Sequence, residues 1–378
     1  MRRFLPCLAA AILLAACRQE APPAKISAVA ALSASGAQSA EGFARALAPR
    51  PFDFPADHGP HPNFETEWWY FTGNLQTAEG RRFGFQLTFF RRALAAEDLS
   101  RESAWATRQL YFAHFTLSDI EGRSFHSFER FARGALGLAE AGATPFRVAI
   151  EDWQAESVSE SLFPLALEAQ DGEARLELEL SDAQGWVAHG DAGLSRKGEG
   201  EGNASYYYSY PRLPARGKIE IAGQTFAVEG EAWLDREWST SVLAPEQQGW
   251  DWFSLQLGDG RELMLFQLRR QDGSRDPFSA GTLIAADGKA ESLKAGDFEL
   301  EPLDLWKSPR SGASYPTRWR LKLPRHGLEL ETKALLEDQE LDVSFSYWEG
   351  AVDAEGKEGD EPLRGRGYLE MVGYAEKP

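Results

Sequence analysis

Apolar and polar residues alternate along many short segments between residue 58 and the C-terminus. Large apolar side chains occupy every second position of residues 83–89, 176–180 and 343–347. Successive side chains of an extended chain point to opposite faces, so this period of two indicates antiparallel strands with one buried face. Asp-Gly pairs at 171–172 and 259–260 are typical of the tight turns between strands. No long amphipathic helix is indicated, and the sequence therefore predicts an all-β chain of sandwiches or barrels.

The length and composition predict two domains that follow a tether. A chain of 378 residues is typical of about two domains. Polar, Gly-rich or Pro-containing interruptions at 185–202 and 244–248 break the series of strands. We place the domain boundary at the second interruption, which gives an N-terminal domain over 58–243 and a C-terminal domain over 244–378. Residues 17–57 are rich in Ala, Ser and Pro and predict a flexible tether.

Residues 1–16 have the features of a bacterial lipoprotein signal peptide. Two arginines precede an apolar run that is too short to span a bilayer, and the run ends in Leu14-Ala-Ala-Cys17. This pattern predicts lipidation of Cys17 and anchoring in the bacterial cell envelope. Arg18, rather than Asp, favours the outer membrane with the protein facing the periplasm. The alternative is a plain secretory signal followed by a chance cysteine.

The net charge and the motifs restrict the class of function. A net charge of −18 disfavours nucleic acid and anionic headgroups as partners, and it favours neutral or apolar ligands. Cleavage would remove Cys7, so we expect no disulfide in the mature protein. His58 and His61 have no further nearby ligand to complete a metal site. No Gly-rich phosphate loop, Gly-x-Ser-x-Gly elbow or Cys-x-x-Cys pair occurs, and we expect neither metal nor cofactor.

Residues 231–240 combine two tryptophans with acidic side chains. In an extended strand, Trp233, Asp235 and Glu237 share one face. If this face is buried, the two carboxylates cannot both ionise cheaply, and one stays protonated at neutral pH as a general acid requires. The alternative is that this face opens to water, or that the acids pair with arginines such as Arg236 and Arg212.

Three other aromatic segments contain candidate site residues. Glu67 and Trp69 share one strand face and Tyr70 lies on the other, which is typical either of ligand contacts or of the first strand of a barrel core. His114 is a candidate catalyst or a core histidine with satisfied hydrogen bonds. Tyr207 is a candidate to orient a ligand or water, or to line a barrel rim.

These segments resemble, in the same order, the AttH-like family, which is related to the carotenoid 1,2-hydratases (hydroxyneurosporene synthases). The resemblance covers nearly all of the chain after the tether. The segments that carry it are 61–70, 111–118, 205–213, 230–240, 249–257, 347–351 and 367–374. It implies two lipocalin-like antiparallel β-barrel domains packed together, with a site at or near their interface.

The resemblance also implies a role for one residue. In the hydratase branch an aspartate protonates an isolated alkene of an acyclic carotenoid, and water captures the cation. Asp235 is the position that matches this acid. If the protein is such an enzyme, we expect Glu237 or Tyr207 to orient Asp235. Trp233 and Trp252 would stabilise the cation. The remaining candidates are His114 as a further catalytic residue and Trp69, Glu67 and Tyr70 as ligand contacts.

Three functions remain open from the sequence. The first is an envelope-anchored lipoprotein that binds an apolar lipid or isoprenoid within or between its barrels. The second is an acid-catalysed hydratase or cyclase type of enzyme that protonates an isoprenoid alkene. The third is a non-catalytic partner of an ABC export system. The environment of Asp235 distinguishes them, since an exposed Asp235 paired with arginine would disfavour acid catalysis.

Overall fold

A computed structural model describes residues 26–27, 41–97, 102–241 and 243–375. These residues form twenty-three strands and two 3₁₀ helices, Ala56–His58 and Pro324–His326. The strands are β1 (Ile26–Ser27), β2 (Thr66–Gln76), β3 (Arg82–Ala93), β4 (Gln109–Asp119), β5 (Ser124–Arg133), β6 (Ala139–Ala143), β7 (Phe146–Ile150), β8 (Trp153–Ser157), β9 (Leu165–Asp171), β10 (Ala174–Leu180), β11 (Val187–Ala188), β12 (Leu194–Arg196), β13 (Ala204–Ile221), β14 (Gln224–Ser239), β15 (Gln247–Leu257), β16 (Glu262–Arg270), β17 (Ala280–Ile284), β18 (Ala290–Lys294), β19 (Glu299–Lys307), β20 (Ser314–Leu323), β21 (Leu328–Ala334), β22 (Phe345–Glu358) and β23 (Glu361–Val372).

The strands form two sheets that follow one another along the chain. The first sheet has the order β5-β4-β3-β2-β14-β13-β10-β9-β8-β7-β6, and β11 and β12 pair with β13. The second has the order β18-β17-β16-β15-β23-β22-β21-β20-β19, with β1 added in parallel to β22. Each sheet curls into a barrel or half-barrel shape, which confirms the predicted all-β fold with two lipocalin-like barrel domains.

Each sheet encloses its own apolar core, and a third apolar layer lies between the two sheets. Trp69 and Trp238 belong to the first core, and Trp319 belongs to the second. Trp233 of the first sheet and Trp252 of the second lie in the layer between them. The central strands of the first sheet are therefore buried on both faces.

The two sheets approach each other closely beside this layer. A Cβ atom added to Gly84 of β3 would lie 2.8 Å from the Cβ of Ala351 in β22, so a glycine is needed for this approach. The Asn74 amide donates to the Gly367 carbonyl oxygen at 2.9 Å, and Arg82 forms an ion pair with Asp353 at 2.7 Å. These contacts hold the sheets in one arrangement.

Part of the predicted tether packs against the first sheet. Phe43 and Ala46 are buried, and Phe52 and Phe54 contact the first core. The predicted signal peptide and Cys17 lie outside the described residues. Within the described part of the chain, no helix combines the length and the apolar character needed to cross a membrane.

Candidate functional site

Strand register places a row of polar side chains across the outer face of the first sheet. Ser209, Asp235, Tyr70, Thr88 and His114 are register partners across the five consecutive strands β13, β14, β2, β3 and β4. Because paired residues in an antiparallel sheet share a face, the five side chains lie side by side. This face is turned towards the second sheet.

The second sheet contributes a facing row from its central strands. Trp252, Glu370 and Glu349 are register partners across β15, β23 and β22. Trp252 meets Tyr70 of the first sheet edge to face, with 5.1 Å between ring centroids. The two rows therefore bring three acidic residues, Asp235, Glu370 and Glu349, to the interface between the sheets.

A cavity of about 100 Å³ lies between these rows. The first sheet lines it with Trp68, Tyr70, His114, Tyr207, Asp235 and Glu237. The second sheet lines it with Trp250, Trp252, Phe266, Tyr347 and Glu370. Lys197, Ser241, Leu243 and Trp250 are partly exposed lining residues, so the cavity opens to solvent near the connection between β14 and β15. It is smaller than the roughly 300–1,000 Å³ typical of pockets for drug-sized ligands, and suits a small molecule or one end of a long chain.

Asp235 is held in this cavity by three neutral hydrogen-bond donors. The Tyr207 hydroxyl donates to Oδ2 at 2.5 Å, and the Trp233 indole N–H donates to Oδ1 at 2.5 Å. The Ser209 hydroxyl also donates to Oδ1. The carboxyl is only 4% exposed, and no cationic side chain among the described residues pairs with it.

Burial raises the pKa of Asp235 to about 7, although its three hydrogen-bond donors act in the opposite direction. The Glu237 charge adds to the increase. An aspartate with this pKa exchanges its proton near neutral pH. It can therefore act as a general acid or a general base.

A second layer of residues fixes the donors around Asp235. The Trp252 indole N–H donates to the Tyr207 hydroxyl at 3.0 Å, which leaves the Tyr207 proton directed at Asp235. His189 contacts the Ser209 hydroxyl through Nε2 at 2.6 Å. Burial lowers the pKa of His189 to about 3, so this imidazole is neutral and adds no charge to the site.

Glu237 differs from Asp235 because it has a cationic partner. Lys197 Nζ lies 3.1 Å from Glu237 Oε1, and the Ser205 hydroxyl also donates to this carboxylate. The Lys197 ammonium lies 4.0 Å from the Phe266 ring centroid and 5.2 Å from that of Tyr207. The cavity thus already holds one cation between a carboxylate and aromatic rings.

Glu370 and Glu349 add two further carboxyls at the second sheet. Burial raises the pKa of Glu370 to about 8, and the charges of Asp235 and Glu237 contribute to the increase. Burial also raises the pKa of Glu349 well above its ordinary value, with a further contribution from Glu370. The Tyr70 hydroxyl donates to Glu349 Oε1. Glu370 lines the cavity, whereas Glu349 is fully buried and is not among the lining residues.

His114 lies at the other side of the cavity. Its Nδ1 is 2.7 Å from the Tyr347 hydroxyl, to which the Gln86 amide also donates at 3.1 Å. Burial lowers the pKa of His114 to about 3, so the ring is neutral across the physiological range. This geometry suits a hydrogen-bonding role rather than proton transfer at neutral pH.

The opposite face of the first sheet holds Glu67 in a charged network. Glu67 forms ion pairs with Arg91 and with Arg236, the latter at 3.1 Å, and His61 Nδ1 lies 3.1 Å from its Oε2. Burial acts to raise the pKa of Glu67, but Arg91, His61 and Arg236 together hold it well below its ordinary value. Trp69 lies on the same face, in the first core.

The structure brings six of the predicted site residues to one cavity. These are Asp235, Glu237, His114, Tyr207, Trp252 and Tyr70. Trp233 donates a hydrogen bond to Asp235 without lining the cavity, whereas Glu67 and Trp69 lie on the other face of the sheet. Of the arginines that were alternatives as partners of Asp235, Arg236 pairs with Glu67, and Arg212 pairs with Glu231 and Glu262.

Sequence reasoning did not identify Glu370, Lys197 or His189 as site residues. Glu370 lies in segment 367–374, which carries the family resemblance, and an acid inside an otherwise apolar strand was its available signal. Lys197 lies in a Gly-rich segment that shows no strand pattern. In the described part of the chain, no three His, Cys, Asp or Glu residues are arranged to hold a metal ion.

Comparisons with known proteins agree with this architecture. The chain is 36% identical to an AttH protein of Nitrosomonas europaea, whose structure it matches with a TM-score of 0.79 over 88% of this chain and 100% of that one. Kievitone hydratase from Nectria haematococca matches with a TM-score of 0.67 at 17% identity, over 88% of this chain and 96% of that chain. CghA matches with a TM-score of 0.50 at 12% identity, over 89% and 96% of the two chains.

No curated protein sequence matches the chain significantly. The sequence profile of the AttH-like family matches residues 45–374, which include both sheets and the cavity between them. The predicted family is thereby confirmed, and the chain belongs to the AttH-like family.

Proposed function

We propose that the protein is an acid catalyst that transfers a proton from Asp235 to an unsaturated, apolar ligand held between the two sheets. The observation that carries the proposal is the setting of the Asp235 carboxyl. It is buried at an aromatic cavity, accepts hydrogen bonds from three neutral donors and pairs with no cation among the described residues. Such a carboxyl keeps its proton close to neutral pH, as a general acid requires.

The proposed reaction begins with protonation of a carbon–carbon double bond. The O–H bond of Asp235 breaks, and a C–H bond forms at the less substituted alkene carbon, which leaves a tertiary cation at its neighbour. Water adds to this cation through its oxygen and gives one proton to the Asp235 carboxylate. The net change is the addition of one water to one double bond. If a second double bond of the ligand captures the cation instead, a ring forms, and a proton lost from carbon returns to Asp235.

The residues around Asp235 support both products of the first proton transfer. Tyr207, Ser209 and Trp233 already point their donors at the carboxyl, so the carboxylate that remains is stabilised without rearrangement. The rings of Trp250 and Trp252 line the same cavity and attract positive charge through their faces. The site therefore separates an anion and a cation within a poorly solvated space.

One solved structure of the same fold agrees with this proposal. Kievitone hydratase shares the fold and is, by its name, an enzyme that adds water. At 17% identity this likeness extends to the fold alone. The substrate class therefore rests on the cavity, whose volume of about 100 Å³ suits the reacting end of an isoprenoid chain rather than the whole chain.

Incubation with acyclic isoprenoid alkenes in water labelled with heavy oxygen tests the proposal. Mass spectrometry should detect a product heavier by one labelled water, or an isomer of unchanged mass if a ring forms. Asp235→Asn should abolish product formation. Asp251→Asn is the matched control, because Asp251 is equally buried but pairs with Arg269 outside the cavity, and it should retain turnover. Equal turnover by Asp235→Asn and the wild type would contradict the proposal.

A second candidate function is binding of an apolar ligand without chemistry. The aromatic lining of the cavity favours it, because such walls bind apolar groups whether or not a reaction follows. Extraction of the purified protein with organic solvent, followed by mass spectrometry, distinguishes the two. Recovery of an unsaturated ligand that stays unchanged on long incubation would support binding alone. Recovery of its hydrated or cyclised form would support catalysis.

A further inference from the structure

The cavity carries an excess of acidic groups. Its lining includes the carboxyls of Asp235, Glu237 and Glu370 but one ammonium group, that of Lys197. Lys197 pairs with Glu237 at 3.1 Å. Asp235 and Glu370 have no cationic partner in the described part of the chain. A ligand with a positive charge would therefore complete the charge balance of the site.

The aromatic walls favour the same kind of ligand. Cations with apolar substituents bind to the faces of indole and phenol rings, and the attraction grows when water is excluded. Trp68, Trp250 and Trp252 line the cavity together with the carboxyls. Lys197 shows that these parts already bind a cation, since its ammonium lies between Glu237 and the rings of Phe266 and Tyr207.

We infer that the cavity binds organic cations, namely amines or quaternary ammonium groups with apolar substituents, between Asp235 on one sheet and Glu370 on the other. The inference deepens the proposed function and rests on it, because both place the ligand in this cavity. An ammonium group with apolar substituents is a stable counterpart, in charge, of the tertiary cation formed by protonation. Ligands that imitate a transition state bind more tightly than the substrate itself.

Binding of a cation should be coupled to the release of protons. Burial raises the pKa of Asp235 to about 7 and of Glu370 to about 8, so both carboxyls are partly protonated in the empty cavity at neutral pH. A bound cation favours the ionised forms. Its affinity should therefore increase with pH until both carboxyls have ionised, by up to about tenfold per pH unit for each proton released.

Other titratable groups near the two carboxyls do not change this expectation. His114 lines the cavity and His189 contacts Ser209, and both are neutral, since burial lowers the pKa of each to about 3. Burial raises the pKa of Tyr207, and that of Tyr70, well above the ordinary value, so these phenols stay neutral. The remaining groups that face the site are Lys197, Glu237, Glu349, Tyr347 and Tyr368.

A pair of isosteric probes tests the inference without any turnover. Choline and 3,3-dimethylbutan-1-ol have the same shape and differ by one positive charge. Isothermal titration of the full-length protein should give choline the lower Kd by at least about tenfold at pH 8, with a smaller preference at pH 6. No choline binding at millimolar concentration, an alcohol that binds as tightly as choline at pH 8, or a preference that does not change with pH would each overturn the inference.

Glu370→Gln separates the charge of the cavity from its shape. This variant should weaken choline binding about tenfold at pH 8 and leave the affinity for the alcohol unchanged. The matched control is Glu355→Gln at an exposed site of β22, which should bind both probes as the wild type does. Equal choline affinity in Glu370→Gln and the wild type would remove Glu370 from the site. Selective choline binding without any isoprenoid turnover would support the inference and contradict the proposed function. Isoprenoid turnover without selective choline binding would support the proposed function and overturn the inference.

Discussion

Replacement of Asp235 by asparagine tests the protonation of this site without any knowledge of the ligand. Asparagine has nearly the same shape as aspartate but cannot ionise. An unfolded aspartate ionises near pH 3.8, whereas burial raises the pKa of Asp235 in the folded protein to about 7. Between these values the folded state binds one more proton than the unfolded state. The wild-type free energy of unfolding should therefore decrease as the pH rises from about 4 to about 7, and this contribution should then level off.

The size of this effect follows from the difference between the two pKa values. The gap between 3.8 and about 7, at about 1.4 kcal/mol per pKa unit, gives about 4 kcal/mol. The side chain is only 4% exposed, so solvent screening reduces this value little. Asp235→Asn removes this contribution. As the pH rises from 4.5 to 8, the free energy of unfolding of the variant should increase by several kcal/mol relative to that of the wild type. The cost of the substitution itself does not affect this change, because it is the same at both pH values.

Urea unfolding followed by tryptophan fluorescence measures this difference, since urea is uncharged and the chain has 12 tryptophans. Titrations of both proteins at several pH values would give two curves whose separation changes with pH. Other titrating groups contribute similarly to both curves and largely cancel in the difference. Glu355→Gln at an exposed position serves as the control and should follow the wild type. Parallel curves for Asp235→Asn and the wild type would refute the raised pKa, and with it the case for Asp235 as a general acid.

Substitutions of Tyr207, Glu67 and Cys17 test three other parts of the molecule. Tyr207→Phe removes one donor from Asp235 and should raise its pKa by about one unit more, as carbon NMR of labelled carboxyls would show; an unchanged pKa would contradict the hydrogen bond. Glu67→Gln leaves two buried arginines underneutralised and should destabilise the fold by about 3–5 kcal/mol in urea unfolding, with ligand affinity unchanged because Glu67 lies away from the cavity. Cys17→Ser should abolish labelling with radioactive palmitate and release the protein from membranes; continued labelling would contradict the predicted lipidation.

The face assignments of the central strands could be predicted from the sequence. The alternation placed Trp233, Asp235 and Glu237 together, and the structure finds all three on the outer face of β14. The alternation could not show which face of β14 carries the site, because both faces are buried. The first core covers one face, and the second sheet covers the other. Glu67 is an example: it was a candidate ligand contact but lies on the face away from the cavity. In the sequence, an acid near a tryptophan has the same pattern whichever face it occupies.

The residues that face Asp235 from the second sheet could not be predicted from the alternation of apolar and polar residues. Glu370 and Asp235 line the same cavity from two different sheets and lie far apart in the sequence, so no spacing relates the two residues. The same holds for Lys197, whose position depends on a polar segment between β12 and β13. Local periodicity assigns side chains to faces, but it contains no information on how two separate sheets are placed against each other.

Glu67 and Asp235 show why partners, rather than residue type, determine what a buried acid can do. Both side chains are almost fully buried on neighbouring strands of one sheet. Glu67 pairs with two arginines, which hold its pKa well below the ordinary value against the effect of burial, so its charge is fixed at every physiological pH. Asp235 has only neutral donors, which offset part of the effect of burial and leave its pKa at about 7. A carboxyl of fixed charge can only support structure, whereas one that gains and loses a proton near pH 7 can transfer it. Among the described residues, no arginine pairs with the Asp235 carboxyl, and this is the feature that allows it to exchange a proton at the cavity.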